Sequence, residues 1–343
     1  LVAAGIALSY VPGFPDYELE PELVLAGFLP PLLYVAALDT SVPEFKRNLR
    51  PILLLAFGLV FFTTLVVGFV LHWVVPSMPL AACFVLGAVV APPDAVAATS
   101  VARRIGLPRR VVTILEGESL VNDATALTLL RVAVGAATGA GVTWWEVALE
   151  LVAVAAGGLV VGYVVARIII ELHKRTDDSL LDNTISILTP FVAFAAAESI
   201  DASGVIAVVL AGLLIGHRRI EFTSAQSRLQ TDAFWRVVEF LLQGVVFLLV
   251  GLQIRVILDG LDDQRSVVVA SSVAVLLAVI LSRFVWMYPA TYGARLVPTV
   301  RRNDPPPPLN IPTIISWAGM RGVVSLAAAF AIPLDVPQRS LLI

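Results

Sequence analysis

Glu116-Gly117-Glu118-Ser119-Leu120-Val121-Asn122-Asp123 lies between two apolar runs, VVTIL before it and ATALTLL after it. These flanks are too apolar for a solvated amphipathic helix. Read as a helix, the segment places Ser119, Asn122 and Asp123 on one face, at spacings i, i+3 and i+4. Glu116 precedes Asp123 by seven residues and lies near that stripe, and Glu118 precedes Asn122 by four. Three carboxylates, an amide and a hydroxyl inside an otherwise apolar helix are costly in a membrane, and such groups mark functional sites.

The rest of the chain supplies that membrane. Of its 343 residues, 58% are hydrophobic and 14% charged, where an ordinary soluble domain carries about a quarter charged. Mean hydropathy is +0.91. The net charge of −3, from 23 basic and 26 acidic residues, leaves no basic field to hold nucleic acid. The single cysteine, Cys83, excludes a disulfide framework and a multi-cysteine metal site. His72, His173 and His217 share no ligand spacing. No GxxxxGK[ST] phosphate-binding loop occurs, so no ATPase is encoded in these residues.

A helix needs about 20 mainly apolar residues to cross a bilayer. The expected spans are 1–11, 22–38, 49–73, 77–104, 110–134, 145–171, 182–199, 203–217, 233–253, 266–290 and 310–332. The chain begins and stops inside apolar runs, which suggests further helices at both ends. Connections between the spans alternate in charge. Basic ones carry Lys46, Arg47 and Arg50, then Arg103, Arg104, Arg109 and Arg110, then Lys174 and Arg175, then Arg218, Arg219 and Arg228, and last Arg295, Arg301 and Arg302. Those between them are acidic or neutral. Every second loop therefore faces the cytoplasm, which supports the span count independently.

Two spans contain a break. Ala91-Pro92-Pro93-Asp94 interrupts the fourth, because two prolines remove helix hydrogen bonds and disfavour helix before them. Non-helical backbone at membrane depth survives only where it is buried in protein or lines a cavity. In the eleventh, Gly319-Met320-Arg321-Gly322 sets a lone arginine between two glycines, which weaken helix. The ninth span, with Phe240-Leu241-Leu242, echoes Phe28-Leu29-Pro30-Pro31-Leu32-Leu33 in the second. Corresponding segments are seven spans apart, and an odd offset reverses orientation. This is the sequence mark of inverted repeats with a site at midplane between two broken helices. The expectation is an all-α polytopic membrane protein forming one transmembrane domain, residues 1–343. Residues 1–134 form a first repeat, 145–171 a linker helix and 182–343 a second repeat.

Oxygen-rich groups suit hard cations rather than zinc or copper. Asp94 and Asp123, a serine hydroxyl and loose carbonyls fit a small alkali cation, and the same carboxylates can take protons. Arg321 requires a counter-ion. Glu118 is the choice, with Asp94 and Glu116 as alternatives. Arg283 either snorkels near the cytoplasmic end of its span or contacts the core.

These segments resemble the monovalent cation:proton antiporter family, in its bacterial sodium/proton exchanger branch. The resemblance rests on Phe28-Leu-Pro-Pro, Ala91-Pro-Pro-Asp-Ala-Val-Ala, Glu116-Gly-Glu-Ser-Leu-Val-Asn-Asp-Ala and Gly319-Met-Arg-Gly-Val-Val-Ser, and it covers essentially the whole chain. It implies that Asp123 carries the cation and the proton, while Asp94, Ser119 and the Pro93 carbonyl complete the cation site. It implies that Asn122 hydrogen-bonds in the unwound region, and that Glu118 and Arg321 form a structural ion pair, with Glu116 nearby as a supporting residue. The Asn122-Asp123 pair is similar to that of electroneutral exchangers, one cation for one proton. The resemblance further implies thirteen helices, of which eleven are present, a homodimer, a plasma-membrane location and no cofactor. Three departures stand out. Tyr34-Val35-Ala36 is apolar where relatives often carry an acid, and Pro93 and Ala95 flank Asp94 where relatives often have Thr and Pro. Sodium or lithium is the expected cation, with potassium as the alternative on the same fold and a passive cation channel as a weaker one. An intramembrane hydrolase is disfavoured because Ser119 has no histidine on a neighbouring span.

Overall fold

The computed structural model describes residues 1–11, 23–94, 106–139, 144–176, 178–259, 265–296, 298–319, 322–333 and 335–342. Each of the eleven expected segments is helical over its described residues, apart from the breaks within the fourth and eleventh, and among the described residues there is no strand. Among the described residues, six helices are long and apolar enough to cross a membrane by themselves: Leu49–Val74, Arg109–Ala137, Leu149–Lys174, Ser179–Glu198, Ala225–Arg255 and Ser266–Tyr292. Two shorter apolar ones, Leu25–Asp39 and Leu80–Val90, join them. This is an all-helical, multi-span membrane protein. Arg321, the acidic connection 12–21 and the loop charges Arg103, Arg104, Asp262 and Asp263 lie outside the described residues.

Local chemistry sets where helices begin. Pro79 and Pro108 immediately precede Leu80–Val90 and Arg109–Ala137 in extended conformation, where a proline sacrifices no helical hydrogen bond. The Asp178 carboxylate accepts from the Leu180 N–H at 2.8 Å, and the Ser203 hydroxyl accepts from the Ile206 N–H at 3.2 Å. Both oxygens satisfy amide groups that a helix start leaves unpaired.

The chain divides into two compact units, Leu1–Val42 with Trp144–Asp262, and Pro43–Thr143 with Asp263–Ile343. Each unit joins an early segment of the sequence to a later one, so packing cuts across the sequential halves 1–134 and 182–343.

The first unit packs backbone against backbone. A Cβ on Gly251 would fall 2.9 Å from the Gly5 Cα, and one on Gly5 would fall equally close to the Gly251 Cα. Lipid supplies no hydrophobic drive between helices, so small residues that allow such approach hold membrane helices together. A buried polar cluster lies in the same unit. Asp182 accepts from Ser227 at 2.9 Å and bonds His173 Nδ1 at 2.8 Å, while the Trp235 indole donates to Ser186 at 2.9 Å.

In the second unit, Leu80–Val90 stops before Ala91-Pro92-Pro93-Asp94, which is non-helical as the two prolines require. A second interruption separates Asn310–Trp317 from Val323–Phe330. The helix Leu49–Val74 contains a wide π turn at Leu54–Leu59. The Trp286 indole donates to the Leu54 carbonyl at 3.1 Å and so satisfies an oxygen of that widened turn.

Candidate functional site

The site lies within the second unit. Arg109–Ala137 runs unbroken through it and displays Glu118, Ser119, Asn122 and Asp123. Glu118 is 1% exposed, Asn122 fully buried and Asp123 7% exposed. The unbroken helix satisfies its own backbone, so these side chains are what it offers to its neighbours.

Asn122 reaches the first interruption. Its Nδ2 donates to the Pro93 carbonyl at 2.7 Å. That carbonyl belongs to a stretch in which proline chemistry has removed the helical donors. The contact also fixes the amide's orientation, because the opposite one would set two acceptors face to face. Asn122 Oδ1 is consequently turned away from Pro93 and is a buried oxygen without a hydrogen-bond partner among the described residues. Buried polar atoms are nearly always paired, so an orphaned oxygen beside two carboxylates suits a site that receives a cation or a water.

The two interruptions meet at Asp94 and Gly322. A Cβ on Gly322 would collide with the Asp94 carboxylate, lying 2.6 Å from its Cγ. The backbone there is extended, with φ −115°, so contact and not strain demands glycine. Gly322 precedes Val323–Phe330, and the unpaired amides of a helix start favour a negative group. Asp94 is also within electrostatic range of Asp123. Two carboxylates, the Ser119 hydroxyl one turn from Asp123 and the Pro93 carbonyl thus belong to neighbouring elements of one unit. Gly322→Ala is expected to displace Asp94, and a misplacement near 1 Å costs a positioned site about 10²-fold in rate. Membrane insertion and gel-filtration profile should remain those of the wild type.

Among the described residues, Glu118 is held by Arg283. Arg283 grips it with both terminal nitrogens, at 2.6 and 2.8 Å, and donates from Nε to the Ile315 carbonyl at 3.1 Å. Arg283 is 3% exposed. It does not snorkel but pairs with Glu118; the expected pairing of Glu118 with Arg321 lies outside the described residues. The physical reason is reach and shape. Arg283 stands on a neighbouring helix at the depth of Glu118, and its planar fork fits a carboxylate through two parallel bonds. The Ile315 carbonyl is among the last of Asn310–Trp317, where helical donors run out. One guanidinium therefore ties Arg109–Ala137 and Arg265–Tyr292 to the helix that leads into the second interruption.

Sequence reasoning missed three features. Arg283 carried only an ambiguous signal, a midspan arginine near a helix end. The need for Gly322 beside Asp94 is a matter of spatial contact. The His173–Asp182–Ser227 cluster joins residues 9 and 45 positions apart, with no local pattern to reveal it.

The family model for the transmembrane sodium/hydrogen exchanger matches residues 1–343. The chain belongs to the sodium/hydrogen exchanger family. Among curated exchangers, it is 34% identical over 359 residues to a sodium, potassium, lithium and rubidium/H+ antiporter of Bacillus pumilus. That alignment covers 100% of this chain and 53% of the Bacillus protein. It is 30% identical to the Na+/H+ antiporter ApNhaP of Aphanothece halophytica, covering 99% of this chain and 63% of the relative. The chain thus spans about half to two thirds of the length of these exchangers. Among solved structures, the sodium proton antiporter MjNhaP1 of Methanocaldococcus jannaschii superposes with a TM-score of 0.74 at 20% identity, covering 96% of this chain and 80% of that one. The exchanger fold is therefore shared.

Proposed function

We propose that the chain is the membrane domain of a secondary transporter that exchanges sodium or lithium for protons across the plasma membrane. Asp123 is the shared carrier. Asp94, Ser119 and the Pro93 carbonyl complete the cation's oxygen shell, while Asn122 holds the interrupted backbone and Glu118, through Arg283, fixes the supporting helices. The single observation that carries this reading is the Asn122–Pro93 bond beside the two aspartates. It couples the helix bearing the carrier to the loosened backbone that offers carbonyl ligands.

Chemistry supplies the coupling. A buried carboxylate is costly when charged and alone. Either a cation or a proton neutralises Asp123, and the loaded forms cross while the empty form does not. Opposed gradients then drive exchange without ATP. Protons flowing inward expel sodium.

Potassium is the second reading, favoured by the Bacillus relative, a sodium, potassium, lithium and rubidium/H+ antiporter. A homodimer is part of the proposal and rests on family resemblance.

Inverted membrane vesicles from cells without antiporters of their own test the reading. Addition of NaCl or LiCl should move protons across the membrane, at rates that do not change when the membrane potential is clamped. A response to KCl alone would keep the mechanism and change the cargo. A response that follows the potential would overturn one-for-one exchange, and an ohmic cation current without proton movement would overturn exchange itself.

A further inference from the structure

The second unit also contains a cavity of about 240 Å³ that the exchange mechanism does not use. Its floor is apolar, formed by Leu54, Leu55, Val111, Ile114, Met287 and Ile315. Its rim is basic, carrying Arg50, Arg110 and Arg295 around a single carboxylate, Asp304. Asp304 binds Arg110 at 2.9 Å and Arg295 at 2.5 Å. Burial pushes the Asp304 carboxyl up, but the two guanidiniums outweigh it and hold it below its ordinary value. Asp304 thus stays charged, and the rim keeps an excess of two positive charges (three guanidiniums against one carboxylate). A positive rim repels cations, so this cavity is a poor entry for the transported ion.

An apolar floor under a basic rim is complementary to an amphiphile with an anionic head. The rim residues lie in or beside the basic connections that face the cytoplasm by the charge rule. Anionic headgroups are present at that leaflet, and basic pockets between membrane helices on that side bind them. Arg50 is exposed and Arg110 is 48% exposed in its side chain; Arg110 Nε donates to the buried Asn48 at 3.0 Å, which holds the guanidinium in place while its terminal N–H groups face a phosphate.

We propose that this cavity binds one anionic phospholipid of the inner leaflet, with its phosphate on Arg50 and Arg110 and an acyl chain on the apolar floor. The site is connected to the ion site through the protein's own bonds. Ile315 forms part of the floor, and its carbonyl accepts from Arg283, which holds Glu118. Ile311 and Pro312, on the same helix, also line the cavity. The lipid therefore braces the helix that runs into the second interruption. The wide π turn at Leu54–Leu59 begins in the cavity wall, and such turns are frequent at functional sites. Lipid binding stands independently of the proposed ion exchange.

Native mass spectrometry of the full-length protein tests the proposal, with phosphatidylglycerol and phosphatidylcholine of matched chains offered together. The wild type should retain one phosphatidylglycerol in preference to phosphatidylcholine. Arg50→Gln, an exposed change that leaves folding intact, should weaken that preference about fivefold, the effect of one basic group at an anionic surface. Ala290→Phe, which fills the cavity from Arg265–Tyr292, should abolish retention while the protein elutes as the wild type does. Equal retention of the two lipids, or unchanged retention in Arg50→Gln, would overturn the site. Displacement of the lipid by inorganic phosphate at millimolar concentration would show that the rim recognises a free anion and would overturn the phospholipid.

Discussion

Asp123→Asn should abolish cation-driven proton movement while leaving the protein folded. The substitution is nearly isosteric and keeps a polar group on the buried face of Arg109–Ala137. It removes the charge that a cation neutralises and the oxygen that a proton occupies. An amide cannot alternate between these two loads, so the expected loss reaches background in both directions of transport. The same assay on Asp94→Asn should leave residual exchange with weakened cation affinity, because the proposed mechanism gives Asp94 only a ligand's role and leaves Asp123 available to the proton. Fluorescence quenching in inverted vesicles measures both, with expression and gel-filtration profile as controls. Unchanged activity in Asp123→Asn would remove the carrier from the account.

The largest stability effect is expected from Arg283→Gln. It leaves Glu118 buried at 1% exposure without its bidentate partner and strips a donor from the Ile315 carbonyl. Removing one member of a buried ion pair costs about 3–5 kcal/mol, since the other charge stays in a medium that cannot solvate it. The variant should lose most of its membrane-inserted, monodisperse yield, or melt well below the wild type in detergent. The double variant Glu118→Gln, Arg283→Gln should recover much of that loss, because no uncompensated charge remains. A single variant as stable as the wild type would show that the pair contributes little, as exposed pairs do.

The two helix breaks were legible from covalent chemistry. Pro92 and Pro93 cannot donate, so helix stops where it does, and the flanking glycines marked the second interruption. The face shared by Ser119, Asn122 and Asp123 followed from helical periodicity. The partner of Glu118 did not, because periodicity gives a residue's face and approximate depth but not which helix stands opposite. Arg283 lies 165 positions away, and only packing brings it to Glu118. The π turn at Leu54–Leu59 had no signal, since it sits within an unbroken apolar run. The compact units were hidden for a related reason. Each gathers helices from an early and a later segment of the chain, whereas sequence similarity between halves reports on order along it.

The central claim is that cation and proton compete for one buried carboxylate. Proton release on cation binding measures this most directly, with purified protein in weakly buffered detergent near neutral pH and a pH indicator present. Addition of NaCl should release protons in a saturable way, the release should shrink as the starting pH is raised and the carrier empties, and Asp123→Asn should release none. Saturable sodium binding without proton release at any pH, or release undiminished in Asp123→Asn, would contradict the account.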